Sequence, residues 1–275
     1  MIHSINLPGH GLVHAESEGS GPAIVFVHAD FVDSRMWEGV RAQLMSRYKT
    51  VAYDKLGYGR SAPATEPIVR RQELAAVVDA IGLETFHLVG CSNGGQQALD
   101  FTLEQPTRVR SLTLVNASPS GWQPEGDMPP LIGEMIAALQ AGDVAAASEL
   151  QVRIWFDGPD RDEVQFSPAI QEARRLSSVM NRICVERGTF FVADAQSPIP
   201  LEPPALFRLA EVRVPTLVVD GLWDWSENRR ASRILADGIP GAKRIEFDGG
   251  HVVPLEDPTG FVALWEKIVA NKTFP

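Results

Sequence analysis

The chain has 275 residues, 44% of them hydrophobic and 22% charged, and a formal net charge of -10. It offers no run of about 18 apolar residues to span a bilayer and no basic stripe to follow a phosphate backbone, so neither a membrane nor a nucleic acid is expected as a partner. Its two cysteines, Cys91 and Cys184, lie far apart and outside any C-x-x-C spacing, which signals neither a disulfide framework nor a zinc site.

The opening segment mixes histidine, glycine and acids where a secretory leader needs a basic start and an apolar core, so a cytoplasmic protein is expected. Residues 1–22 fit an antiparallel edge hairpin. The short Val, Ile, Leu and Phe-rich runs at 23–28, 50–54, 86–90, 111–116, 216–221 and 244–247 read as strands buried on both faces. Helical spacing fills 34–46, 67–81, 94–105, 227–238 and 258–270. Such alternation predicts an α/β fold with a mostly parallel central sheet and helices on both faces. The pairs Arg70-Arg71, Arg174-Arg175 and Arg229-Arg230 stand beside acids in helical segments and read as solvated helix faces.

The alternation breaks at 119–208, which opens on "SPSGWQPEGDMPP", carries helical patterns near 129–141, 143–156 and 168–187, and closes on "SPIPLEPP". This stretch is expected to be a helical cap inserted into a core of residues 1–118 and 209–275. Among its aromatics, Trp122, Trp155 and Phe156 are candidates to line a substrate pocket; Phe166, Phe190 and Phe191 are further members of the same set. Packing of the cap onto the core is the alternative role for each.

Chemistry enters at "VGCSNGGQ", residues 89–96, where Ser92 stands between Gly90 and Gly94 directly after an apolar strand. Serine is a weak nucleophile, so Ser92 needs a histidine base, a group to orient it and donors for an oxyanion. His251, in "FDGGHVVPLEDP", is the one histidine that follows Ser92, and its glycine-rich loop lies just past the last strand. Open α/β sheets build their sites at that carboxyl edge. The orienting carboxylate is sought in "TLVVDGLWDWSEN"; Asp224 falls within the loop, whereas Asp220 ends the strand and Glu227 suits a helix cap. His28 is expected to fix its loop, His87 to be a core histidine, and Cys91 to point away from the base.

These features resemble the α/β-hydrolase superfamily along nearly the whole chain. "GCSNGG" is similar to its GxSxG nucleophile elbow, the order Ser, Asp, His is the one it uses, "VHADFVDSRMW" resembles its HG segment, and "YDKLGYGRS" resembles its D-x-R-G-x-G-x-S loop. The resemblance implies a serine hydrolase acting on a small ester or lactone without metal or cofactor, with oxyanion donors at the backbone amides of Asn93 and Asp30. Carbon-carbon bond hydrolysis, perhydrolysis and a non-catalytic receptor on the same fold are the competing functions. Ala29 and Leu56 depart from the family pattern. Asp30 departs most in consequence, because a carboxylate beside an oxyanion must point away, be protonated or accept a hydrogen bond; it is read either as a solvated or capping residue or as a reader of a polar substrate group.

Overall fold

The computed structural model describes residues 1–129, 131–159, 161, 166–192 and 197–270; the side chains of Phe190 and Phe191 lie outside the described residues. β1 (Ile2–Leu7) and β2 (Gly11–Glu18) form the expected antiparallel edge hairpin. β3 (Ala23–Val27), α1 (Glu38–Leu44), β4 (Lys49–Tyr53), α2 (Arg70–Ala80), β5 (Phe86–Cys91), α3 (Asn93–Glu104) and β6 (Val109–Val115) follow in alternation. Among the described residues four α-helices then intervene: α4 (Leu131–Ala141), α5 (Val144–Val152), α6 (Pro168–Glu186) and α7 (Thr189–Val192). The alternation resumes with β7 (Thr216–Gly221), α8 (Ser226–Gly238), β8 (Lys243–Phe247), α9 (Val253–Glu256) and α10 (Pro258–Trp265).

The sheet runs β1-β2-β4-β3-β5-β6-β7-β8, parallel from β4 to β8. From β3 the chain steps outward to β4 and then returns to place β5 on the opposite side. The order therefore reverses between β3 and β5, and a crevice opens at their carboxyl ends. That reversal decides where chemistry can be built: the loops after β3 and β5 carry Asp30 and Ser92 respectively.

Successive side chains of β3 feed two separate cores. Val25 and Val27 join Leu74 and Val77 of α2 and Leu99 of α3, whereas Ile24 and Phe26 join Trp37, Val40 of α1 and Trp265 of α10. The period of two thus covers both faces, and every residue of β3 is buried. β8 departs from the expectation of a doubly buried strand: it is the sheet's edge, and its residues are half-buried or exposed.

Two segments end differently from their sequence pattern. Residues Ser34–Trp37 wind as a 3-10 turn because the Asp33 carboxylate accepts from the Arg35 amide, and the last helix widens into a π-type turn at Glu266–Ala270. The expected solvated faces at Arg70 and Arg71 are also corrected. Both side chains are buried, Arg70 against Glu73 and the Leu56 carbonyl, Arg71 against Glu104 and the Ile199 carbonyl. Segments distant in sequence cover this face of α2, and periodicity along one helix cannot register such a cover. Arg175 does remain exposed, paired with Glu172. No helix among the described residues is long and apolar enough to cross a membrane.

Two close contacts produce tests. α3 crosses over the end of β3 so closely that a Cβ on Gly94 would lie 2.5 Å from the His28 carbonyl oxygen and 2.6 Å from that of Val27. Backbone cannot yield as a side chain tip does, so Gly94→Ala is expected to cost about 3 kcal/mol in urea unfolding; an unchanged midpoint would contradict the packing.

Farther along α3, Asp100 accepts a bond from the Ser120 hydroxyl at 2.7 Å. Burial pushes its carboxyl from 3.8 up to about 6, against the Ser120 bond and the Arg71 charge, which lower it. The folded state therefore holds more protons than the unfolded chain between about pH 4 and pH 6, and the stability that Asp100 contributes is lost as the pH rises through that window. Asp100→Asn should accordingly raise Tm at pH 8 and leave it unchanged near pH 4. A gain of equal size at both pH values would refute this assignment.

Candidate active site

Ser92 lies between β5 and α3 with φ 56° and ψ -129°, and it and Asn116 are the two non-glycine residues with positive φ among the described residues. Such a conformation costs about 1–3 kcal/mol and persists only where its surroundings fix it. Here the Ser92 amide donates to Val115 O at 2.8 Å, while its carbonyl accepts from Gly95 and Gln96 at 2.9 and 3.1 Å. Gly90 is required as well, since a Cβ there would meet Gly94 O at 2.3 Å. The chain is thus pinned on both sides of a turn that holds Ser92 at the wall of a cavity.

His251 faces that same cavity from the loop after β8. Its Nδ1 lies 2.8 Å from Asp224 Oδ2, both residues being buried. A carboxylate accepts only, so Nδ1 is the donor in this bond and Nε2 is left free of Asp224. Asp224 is fixed in turn: its Oδ1 accepts from the Trp225 amide at 2.7 Å and from Asn228 Nδ2 at 3.0 Å. The rings of Trp155 and Phe31 flank the imidazole at 5.4 and 6.2 Å. Asp220 takes no part. It is buried at the end of β7 and pairs with Arg244, while Glu227 pairs with Arg230 and accepts from the Glu125 amide at 2.8 Å.

The backbone amides of Asp30 and Asn93, at the ends of β3 and β5, donate to no protein acceptor among the described residues, and both residues line the cavity beside Ser92. Asp30 is half-buried, and its carboxylate is held by two side chains rather than by a helix end. Its Oδ1 accepts from Lys55 Nζ and its Oδ2 from Asn93 Nδ2. Burial works to raise the carboxyl, but the Lys55 charge and hydrogen bond, with Arg70 and Asn93, hold it below the usual carboxylate range. His28 fixes its loop: Nδ1 donates to the Ala29 carbonyl at 2.7 Å and Nε2 accepts from the Lys55 amide at 3.0 Å. Burial and the neighbouring Lys55 charge push this imidazole well down, so it stays neutral. His87 bonds Ser111 at 2.7 Å and is lowered to about 4 by burial; the Cys91 thiol is pushed up by burial and contacts the His251 carbonyl.

Two asparagines that the sequence pattern did not single out complete the frame. Asn116, at the end of β6, donates from Nδ2 to the carbonyls of Gly250 and His251, each at 2.9 Å, and accepts from the Gly221 amide at 2.7 Å. One side chain thereby ties the histidine loop to the ends of β6 and β7. Asn228 stands four residues beyond Asp224 and acts on the histidine through that carboxylate, to which its Nδ2 donates. The available signal was positional: a polar residue closing the apolar run "SLTLVN" at the edge where sites form.

The cavity measures about 380 Å³ and is walled by Trp122, Met128, Ile132, Met135, Leu139 and Trp155 from the segment between β6 and β7. Of the three expected pocket aromatics, Trp122 and Trp155 line it and Phe156 does not. Phe156 is fully buried, packed against Phe166 with ring centroids 6.4 Å apart, because the π-type turn Arg153–Asp157 aims it into the core while Trp155 faces the cavity. Asp30 is the one carboxylate in the lining, and no lysine or arginine lines it among the described residues.

The model of the alpha/beta hydrolase family matches residues 24–264. The chain belongs to this family. The hydrolase is 24% identical over 276 residues to 3-oxoadipate enol-lactonase 1 of Acinetobacter baylyi, covering 98% of each chain. It is 28% identical over 268 residues to the putative carbamate hydrolase RutD of Azorhizobium caulinodans, covering 92% of this chain and 93% of the other. Its fold matches that of the enol-lactonase of Burkholderia xenovorans LB400 with a TM-score of 0.76 at 20% identity, over 98% of this chain and 100% of the other.

Trp122 on the cavity wall and Phe156 in the core give this geometry a contrast to test. Phe156→Ala leaves a core cavity and should cost about 3–5 kcal/mol of unfolding free energy. Trp122→Ala, on the cavity wall, should leave Tm within about 2 °C and weaken binding of an apolar ester about tenfold, the scale of a lost aromatic contact. Reversed outcomes for the two variants would overturn the assignment of core and wall.

Proposed function

We propose that this hydrolase cleaves an uncharged small-molecule carboxylic ester or lactone through an acyl-enzyme, with Ser92, His251 and Asp224 as its triad. The reading rests chiefly on one observation: His251, paired with Asp224 at 2.8 Å, lines the same cavity as a serine held in a strained turn. Ser92 Oγ attacks the carbonyl carbon as His251 Nε2 takes its proton, and Asp224 stabilises the imidazolium. The Asp30 and Asn93 amides, aided by the amino end of α3, bind the oxyanion. Collapse expels the alcohol, which takes its proton from His251. Water, deprotonated by the same imidazole, then attacks the acyl-enzyme and releases the acid. Each step uses a group of this chain and water.

The substrate class follows from the walls. An anionic substituent in this cavity would find no lysine or arginine among the described lining residues to pair with, whereas apolar groups would meet the tryptophan, methionine and leucine wall of residues 119–208, which we take to act as the cap. The similarity to an enol-lactonase and a putative carbamate hydrolase supports hydrolysis at a carbonyl; the cavity supports a neutral form of it.

Ser92→Ala and His251→Ala should each lower kcat on a short p-nitrophenyl ester by about 10⁴-fold or more, and Asp224→Asn by about 10⁴-fold. A fluorophosphonate should label Ser92 in the wild type. Across a panel of neutral esters and lactones, carbamates and a carboxylate-bearing enol-lactone, kcat/KM should be lowest for the carboxylate. Persistent turnover by Ser92→Ala sinks the mechanism, and a preference for the anionic lactone sinks the substrate class.

A further inference from the structure

A carboxylate on the oxyanion segment needs a reason to be harmless. Asp30 is such a group: its backbone amide is one of the two proposed oxyanion donors, and its side chain lines the cavity. Lys55 reaches it from the loop after β4, with a side chain that is fully buried. The Lys55 ammonium lies 4.9 Å from the centroid of the Tyr58 ring, and Arg70, which pairs with Glu73 at 2.9 Å, stands 5.7 Å from the same centroid. Asp30, Lys55, Arg70 and Glu73 thus gather around Tyr58 as two anions and two cations, with Lys55, Arg70 and Glu73 buried and Asp30 at the cavity edge.

The second oxygen of Asp30 matters equally. It accepts from the side chain of Asn93, whose backbone supplies the other proposed donor. The two amides that would hold the oxyanion belong to different elements, the loop after β3 and the start of α3, and this side-chain bond joins them directly. Asp30 links three segments at one point: its own loop, the loop of Lys55 and the start of α3.

We infer that the Asp30–Lys55 ion pair is a charge-neutralised clamp that positions the two oxyanion donors, Lys55 being present to cancel the field of Asp30 at the developing negative charge. The inference rests on the proposed serine mechanism. Lys55 does not touch substrate; it is a positioning residue that acts through Asp30. A carboxylate stripped of this cation would repel the oxyanion across a short, water-poor distance, where charge interactions are strong. The effect belongs to the transition state, so it must reduce kcat and leave KM nearly in place.

The test compares K55M, D30N and the double variant D30N/K55M on a neutral p-nitrophenyl ester, together with the affinity of a phenylboronic acid, which forms an anionic tetrahedral adduct with the serine. K55M should lower kcat about 100-fold, comparable with loss of one oxyanion donor, with KM changed by less than about threefold. Removing the carboxylate as well should restore kcat at least about tenfold over K55M, and the boronate affinity should fall and recover in parallel. D30N alone should bind the boronate more tightly than the wild type, because the opposing charge is gone and Lys55 remains. Equal kcat for folded K55M and the double variant overturns the inference, as does wild-type kcat in K55M. Should K55M not fold, weaker boronate binding by D30N overturns it instead. Fluorophosphonate labelling of Ser92 in the wild type separates the two levels: without it the serine mechanism fails, and with it any of these contrary results removes only the clamp.

Discussion

Everything at the candidate site depends on a backbone that is forced into an unfavourable turn. Ser92 sits at positive φ because β5 must pass directly into α3, and the two can meet only where Gly90 and Gly94 remove the Cβ atoms that would strike opposing carbonyls. The strain of about 1–3 kcal/mol at such a residue is offset by the packing of α3 over β3 and β5. In return the hydroxyl stands clear of the sheet at the point where the strand order reverses, and the amide of Asn93 lies next to it. The histidine, its carboxylate and the amide of Asp30 are placed relative to that turn, each at the carboxyl end of a different strand.

The loops that carry them are held by side chains that bond to backbone. Asn116 grips the carbonyls of Gly250 and His251 and the amide of Gly221; Asp224 Oδ1 accepts the Trp225 amide; Glu256 accepts the Gly250 amide at 2.7 Å. A loop rich in glycine can approach this closely, and polar side chains supply the bonds that secondary structure no longer gives. The His251–Asp224 pair therefore rests on a rigid support, with its mobile atoms reduced to one imidazole and one carboxylate.

Much of this was legible in the chain itself. Strands buried on both faces announce themselves as continuous apolar runs, and β7 runs from 216 to 221, as its apolar pattern predicts. Ser92, Asp224 and His251 were separable from their rivals by order and by position relative to strand ends; the structure brings His251 to Asp224 and sets both His251 and Ser92 on one cavity. Phe156 was not legible, because adjacent aromatics in a π-type turn have the same local sequence whether they face core or cavity. Arg70 and Arg71 were misread for a related reason: what buries them comes from residues such as Leu56 and Ile199, remote in sequence. The partner of Asp30 was hidden most deeply. Lys55 is 25 positions away in a different loop, and only the folded sheet puts the ends of β3 and β4 side by side.

The Ser120 hydroxyl donates to Asp100 on α3 and accepts the Ala205 amide at 2.9 Å, while the Ser120 carbonyl accepts the Leu206 amide at 3.0 Å. Outgoing and returning stems of the helical segment are thus buttoned at one residue to the helix that begins at Ser92. Neither stem can swing away without releasing the other and tugging on the elbow. The stems are therefore tied to the core at Ser120, and beyond them α4 lays Ile132, Met135 and Leu139 along the cavity.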